Sequence, residues 1–161
     1  MVVNAGGYCG GSNEPEFLFS CSNLTTYGPT TSPAPSSTPT APAPAPHTST
    51  FESDFDGWTT STFIRDASGT PSSATGPSGA YEGSYYVYAE VSSPRVPGDL
   101  FTLAYDGSAC SASGQVVATV AFHYHMRGAD MGELRLVDAK GMVVWSLSGD
   151  QGNAWLAASV D

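Results

Sequence analysis

The 161-residue sequence predicts an all-β fold, an antiparallel β-sandwich preceded by a disordered Pro/Thr-rich linker. Three observations carry this reading. Short apolar stretches alternate with period two after residue 51, so successive side chains point to opposite faces of a strand. No window sustains the 3.6-residue period of a helix. Gly, Pro and Asp break the chain at the short, regular intervals of an antiparallel sandwich.

Composition narrows the class further. Charged residues make up only 12% of the chain, with 5 basic against 15 acidic side chains and a formal net charge of −10. Such a field repels phosphate backbones and anionic lipid, so nucleic acid is disfavoured as a partner. The longest apolar runs, such as "VVATVAF" at 116–122, are far too short to span a bilayer. The opening "MVVNAGGYCGG" lacks the basic and apolar regions of a signal peptide, so an export signal is expected upstream.

Residues 1–26 read as the tail of an upstream Cys-containing domain. Cys9 and Cys21 are candidates to close it as a disulfide, and Asn23 heads an Asn-Leu-Thr glycosylation sequon. Residues 27–50 form the linker. Within it, 29–46 hold seven prolines and no charge. Proline fixes φ and lacks the backbone donor, so neither helix nor ladder forms. An extended chain at 3.1 Å per residue would span up to ~55 Å. A spacer explains this segment better than an SH3 or WW ligand, which would carry flanking charge.

From residue 51 onward the strands follow in order. "GSYYVYAEV" (83–91) and "LFTLAY" (100–105) are the first clear ones. In 115–126, Val116, Ala118, Val120, Phe122, Tyr124 and Met126 share one face, while Thr119, Ala121, His123 and His125 share the other. Gly128 and Gly132 bracket a turn, read as a hairpin into "GELRLVD". "KGMVVWSLSG" (140–149) places Val143, Trp145 and Leu147 on one side, and "SGDQGN" (148–153) reads as a second hairpin before Trp155. The Cys-containing "GSACSASG" (107–114) reads as a loop. Cys110 is open between a free thiol, a partner for an upstream cysteine and a link to a second chain.

Five segments in sequence, "FESDFDGW" (51–58), "TPSSATGPSG" (70–79), "GSYYVYAE" (83–90), "FHYHMRGADMGELRL" (122–136) and "VVWSLSGDQGNAW" (143–155), resemble the MAM domain of meprin-type proteases, neuropilins and receptor tyrosine phosphatases. The resemblance covers 51–161. It implies a jelly-roll-like sandwich acting as a non-catalytic adhesion and protein-interaction module of a larger secreted or cell-surface glycoprotein. It also implies that strands closing the family's C-terminal end lie beyond Asp161, which would leave the sandwich incomplete. The family's first two cysteines, which bridge each other, fall at Thr50 or a neighbour and at Asp56. A third aligns with Thr119.

Chemistry is sparse. No G-x-S-x-G elbow, HExxH or P-loop is present, so no residue is nominated as catalytic and an enzyme is not expected in this chain. An enzymatic parent would carry its catalytic part upstream. His123 and His125 share a strand face but lack the third and fourth ligands a metal needs. No cofactor is expected apart from Ca²⁺, for which the resemblance nominates Glu52, Asp54 and Glu90. Solvated edge carboxylates are the competing reading for all three. Tyr86 and Tyr88 are the candidates for an exposed sugar-stacking platform. Expected partners are a protein or glycan at the cell surface, with a second copy of the chain also admissible. Direct membrane insertion of this fragment is not expected.

Overall fold

The computed structural model describes residues 2–6, 12–22, 47–111 and 114–161, with side chains described from residue 47 onward. Strands account for nearly all regular structure. They are β1 (Val2–Gly6), β2 (Ser12–Ser22), β3 (His47–Ser49), β4 (Thr59–Thr60), β5 (Phe63–Asp66), β6 (Tyr86–Ala89), β7 (Leu100–Ala104), β8 (Val116–Arg127), β9 (Glu133–Val137), β10 (Val143–Ser148) and β11 (Leu156–Val160). Among the described residues one short helix, α1 (Ser108–Ser111), interrupts them. The loop expected at 107–114 therefore contains one helical turn, started by Asp106 Oδ1 accepting from Ser108 N at 2.8 Å.

Two sheets form the sandwich. One runs β10-β9-β1-β7-β4, the other β11-β8-β2-β3, and a separate β5-β6 ribbon completes the described strands. Every described strand pair is antiparallel. The shared core is apolar and aromatic, centred on Phe51, Trp58, Phe101, Leu103, Phe122, Met126 and Leu134. Val120, Phe122, Tyr124 and Met126 are buried as the alternation on β8 requires.

Two corrections follow from the topology. Alternation identifies a strand but not the sheet it joins. β8 and β9 belong to different sheets, as do β10 and β11. The glycine turns at 128–132 and 149–155 are therefore crossovers between layers, whereas β9 and β10 form a true hairpin around Asp138. In addition, β6 lies across β2, so the outer face of the four-stranded sheet is covered. His125, on the face that alternation sets opposite Phe122 and Met126, is also buried, at 1% exposure against Trp155.

The larger departure concerns the segment before the linker. Residues 1–26 were expected to be the tail of a separate domain. Instead the backbones of 2–6 and 12–22 pair inside the two sheets, β1 between β9 and β7, and β2 between β8 and β3. β3 itself starts at His47, four residues inside the expected linker boundary.

At the sandwich entrance, Asp56 occupies a position where the family resemblance implied a cysteine. Its Oδ2 accepts from Thr50 N and Phe51 N, each at 2.6 Å, and Asp54 Oδ1 accepts from Asp56 N at 2.7 Å. Phe51 is fully buried with φ of 59°, a region a side chain with a Cβ rarely occupies. Arg65 Nε donates to the carbonyl of Phe51 and its Nη2 to that of Glu52. The Phe51 peptide groups are thus held from the donor side by a carboxylate and from the acceptor side by a guanidinium. A charge-assisted clamp stands where a covalent one was implied.

Candidate functional site

The carboxylates nominated for Ca²⁺ are each occupied by a different turn. Glu52 Oε1 accepts from Ser84 N and Tyr85 N at 2.8 and 2.9 Å. Those two N–H groups, and then the Arg65 guanidinium, hold its carboxyl below the usual carboxylate range. Gly83, at φ +69°, permits the approach, because a Cβ there would run into the Glu52 carboxylate. Asp54 turns back on Asp56, and Glu90 Oε1 accepts from Ser92 N at 2.8 Å. The structure does not bring these three together. Among the described residues no group of three or more His, Cys, Asp or Glu side chains is placed to hold a metal ion. The geometry supports turn-forming roles, built by carboxylates that satisfy backbone donors.

Tyr86 and Tyr88 retain only 3% and 4% exposure, so they do not form an open platform. The reason is that β6 is buried at all four residues, leaving no solvent face for alternation to assign. Tyr86 OH donates to the Ser68 carbonyl, anchoring the strand to a loop. The histidines join the same aromatic layer. His123 stacks on Tyr81 with ring centroids 3.7 Å apart, and His125 meets Trp155 edge-on at 5.7 Å. His125 Nε2 lies 3.2 Å from Asn153 Oδ1, and Trp155 Nε1 donates to the Gly79 carbonyl at 3.2 Å. Burial is the main force lowering the pKa of both histidines. They are packing groups kept neutral.

Those directions set a pH dependence. A histidine whose folded pKa lies below its ordinary 6.5 contributes stability above that value and loses it as pH falls. Glu52 and Asp138, lowered from 4.5 and 3.8, act likewise further into acid. Urea midpoints should therefore decline from about pH 6.5 downward and steepen below about pH 4.5. A midpoint flat from pH 7 to 5 would contradict the buried-histidine assignment.

Cys110 is buried at 1% exposure and disulfide-bonded, which closes the free-thiol option. Its bonding partner, the Cys9 and Cys21 side chains, and Asn23 lie outside the described residues. The chain has three cysteines, so an intrachain bond at Cys110 competes with the expected Cys9–Cys21 pairing.

One feature escaped sequence reasoning. At the end of the sandwich near α1, a cavity of about 600 Å³ opens between the sheets. Val116, Val117 and Val120 of β8 form one wall, with Leu136, Val137 and Val144 from the opposite sheet facing them. Beside it, Met142 just before β10, and Val143 and Val144 on it, are 64%, 50% and 44% exposed, and β10 is the outermost strand of its sheet. Such an apolar edge is unusual, since outer strands are normally blunted by charge or proline.

The rim is acidic. Asp106, Asp138 and Asp161 line the opening, with Lys140 among them. The Asp138 carboxyl is held low chiefly by the Met142 N–H, and that of Asp106 by the Ser108 N–H. Both stay charged at neutral pH. No helix among the described residues is long and apolar enough to cross a membrane.

An apolar recess beside an unblunted strand edge is surface of the kind that recognition sites use. The family model described as "MAM domain, meprin/A5/mu" matches residues 47–161, and the chain belongs to the MAM family. It is 40% identical over 99 residues to the MAM domain-containing glycosylphosphatidylinositol anchor protein 1 of Gallus gallus, a match covering 53% of this chain and 10% of that protein. The Homo sapiens protein of the same name is 41% identical over 96 residues, again covering 53% of this chain and 10% of the relative. The match thus spans about a tenth of the curated relatives' length. No solved structure matches at a significant level.

Proposed function

We propose that this chain is an extracellular protein-interaction module of a larger secreted or cell-surface protein, docking a partner at the recess between β8 and β10. The observation that carries the reading is the continuity of the cavity with exposed Met142, Val143 and Val144, inside an acidic rim. An apolar anchor filling a pocket, surrounded by charges that orient it, is the usual anatomy of a recognition site. The partner that fits is a protein segment with an apolar side chain next to Lys or Arg. Family membership and surface-anchored relatives support the extracellular setting. In that setting Asn23 and the Ser and Thr residues among the prolines at 29–46 are glycosylation acceptors.

The test uses the purified chain, fluorescently labelled, in saturation binding to intact cells. Val116→Asp combined with Val144→Asp places charge at two partly exposed positions on the recess. Binding should weaken by roughly tenfold or more, a loss typical of a disturbed interface centre. Ile64→Asp, at another exposed apolar position, should leave binding unchanged. Equal binding by all three proteins would overturn this site, and absence of saturable binding by the wild type would overturn the adhesion reading.

A further inference from the structure

We propose that the Arg95–Val96 peptide bond is a processing site for trypsin-like serine proteases, whose cut converts the module into a two-chain form. The reading rests on one loop and does not depend on which partner meets the recess.

Proteases that seat a cation in an acidic specificity pocket need Arg or Lys before the scissile bond. The chain has five such residues, Arg65, Arg95, Arg127, Arg135 and Lys140. None precedes residue 65, so every bond open to this protease class lies among the described residues.

Four of the five are withheld by their surroundings. Arg65 lies on β5, which pairs with β6, and its guanidinium donates to the carbonyls of Phe51 and Glu52. The Arg127–Gly128 bond is held from both sides. The Arg127 carbonyl accepts from Gly76 N at 3.3 Å, and Gly128 N donates to Asp150 Oδ1 at 3.2 Å. Arg135 is inside β9, with β10 on one side and β1 on the other. Lys140 sits in the β9–β10 hairpin, where Lys140 N and Met142 N both donate to Asp138 Oδ1 and Gly141 N donates to the Asp138 carbonyl. A protease cleft takes an extended segment, so cutting at any of these four first requires opening a sheet or a bonded turn.

Arg95 is placed differently. Residues 92–98, between β6 and β7, are exposed without a break, and Val96 is 58% exposed. Backbone donors there are satisfied locally: Arg95 N by the Ser92 carbonyl, Val96 N by Asp99 Oδ2 and Asp99 N by the Val96 carbonyl. Opening these bonds disturbs no sheet, and such segments open at small free-energy cost. The Arg95 side chain is itself 41% exposed, 4.0 Å from Asp99, with its guanidinium carbon 5.3 Å from the Phe101 ring centroid. Exposed contacts of both kinds are weak. A carboxylate pocket that binds the guanidinium bidentately outcompetes them. Proline stands at 97 and not at 96, so the scissile bond is an ordinary secondary amide.

Hydrolysis consumes one water. As the C–N bond breaks, the Arg95 carbonyl carbon takes the hydroxyl and the Val96 nitrogen takes the hydrogen. The new acid then passes its proton to the amine, leaving a carboxylate at Arg95 and an ammonium at Val96, both in solvent. The halves stay together because their parts interleave. β4, from before the cut, pairs with β7, from after it. Tyr81 stacks on His123, and Trp155 Nε1 donates to the Gly79 carbonyl. Phe51, Trp58 and Val87 share one core with Phe101, Phe122 and Leu134.

The experiment treats the intact, folded chain with dilute trypsin and follows it by time-resolved mass spectrometry. The first product should be a nicked chain one water heavier, which denaturation in reductant separates into residues 1–95 and 96–161. Cutting there should run at least about tenfold faster than at any of the other four residues. Arg95→Gln removes the cation and Val96→Pro the cleavable amide. Each should extend the life of the intact chain by about tenfold or more. On a native size-exclusion column the nicked chain should elute as one species carrying both halves. A first cut at Arg65, Arg127, Arg135 or Lys140, or variants digested as fast as the wild type, would overturn the site. Halves that part under native conditions would overturn the two-chain form.

Discussion

Phe101→Ala should lower the stability of the intact chain by about 3–5 kcal/mol, the usual cost of deleting a fully buried phenylalanine. Phe101 is 1% exposed on β7, a strand flanked by β1 and β4 and contributing Leu103 to the same core. Arg95 covers its ring from outside, with the guanidinium carbon 5.3 Å from the centroid. The loss combines apolar area returned to water with a cavity that rigid sheets cannot collapse. Domains commonly hold only about 5–15 kcal/mol in total, so the variant should approach the unfolding threshold. Phe101→Leu, which keeps most of the volume, should cost less than about 1.5 kcal/mol. Urea titration followed by tryptophan fluorescence measures both. Equal losses for the two substitutions would mean that Phe101 is not the packing centre described.

Asp56→Ala should cost about 3 kcal/mol, because it removes two hydrogen bonds to a charged acceptor and frees two backbone donors at once. The effect is amplified by what the bonds restrain. Phe51 sits at φ of 59° with its ring wholly buried, a backbone state that persists only when its surroundings enforce it. Asp56→Asn keeps an acceptor oxygen and should lose about half as much. The melting temperature should fall by roughly 5–10 °C for the alanine variant. A shift below about 2 °C would show that Arg65 alone holds the entrance.

The same aspartate shows what was legible in the sequence. The resemblance located an implied disulfide pair at Thr50 or a neighbour and at Asp56, so the loss of both cysteines could be read off directly. That an aspartate would restore the tie through backbone donors could not, because a carboxylate's partners are set by tertiary approach. Alternation placed Phe122, Tyr124 and Met126 in the core correctly, since those side chains face the opposing sheet. It misassigned the tyrosines of β6, because that strand is buried on both faces. Periodicity reports one strand at a time, so it also made hairpins of two crossovers.

The N-terminal strands were hidden for a different reason. A long proline-rich segment is the ordinary mark of a boundary between folded units, and here it separates strands that pair with each other. The recess was illegible because Val116 and Val144 lie far apart in sequence and only sheet packing makes them neighbours. No local motif could have found them.

The recess lies in a sandwich assembled from strands on both sides of that linker. Hydrogen–deuterium exchange on the intact chain tests this most directly. Paired backbone amides inside sheets open only through large fluctuations, so β1 and β2 should be protected to the same degree as their neighbours β8 and β9. Protection of 2–6 and 12–22 lasting minutes to hours, in step with 116–127 and 133–137, is the predicted result. Complete exchange of 2–22 within seconds, while 47–161 stays protected, would contradict the account.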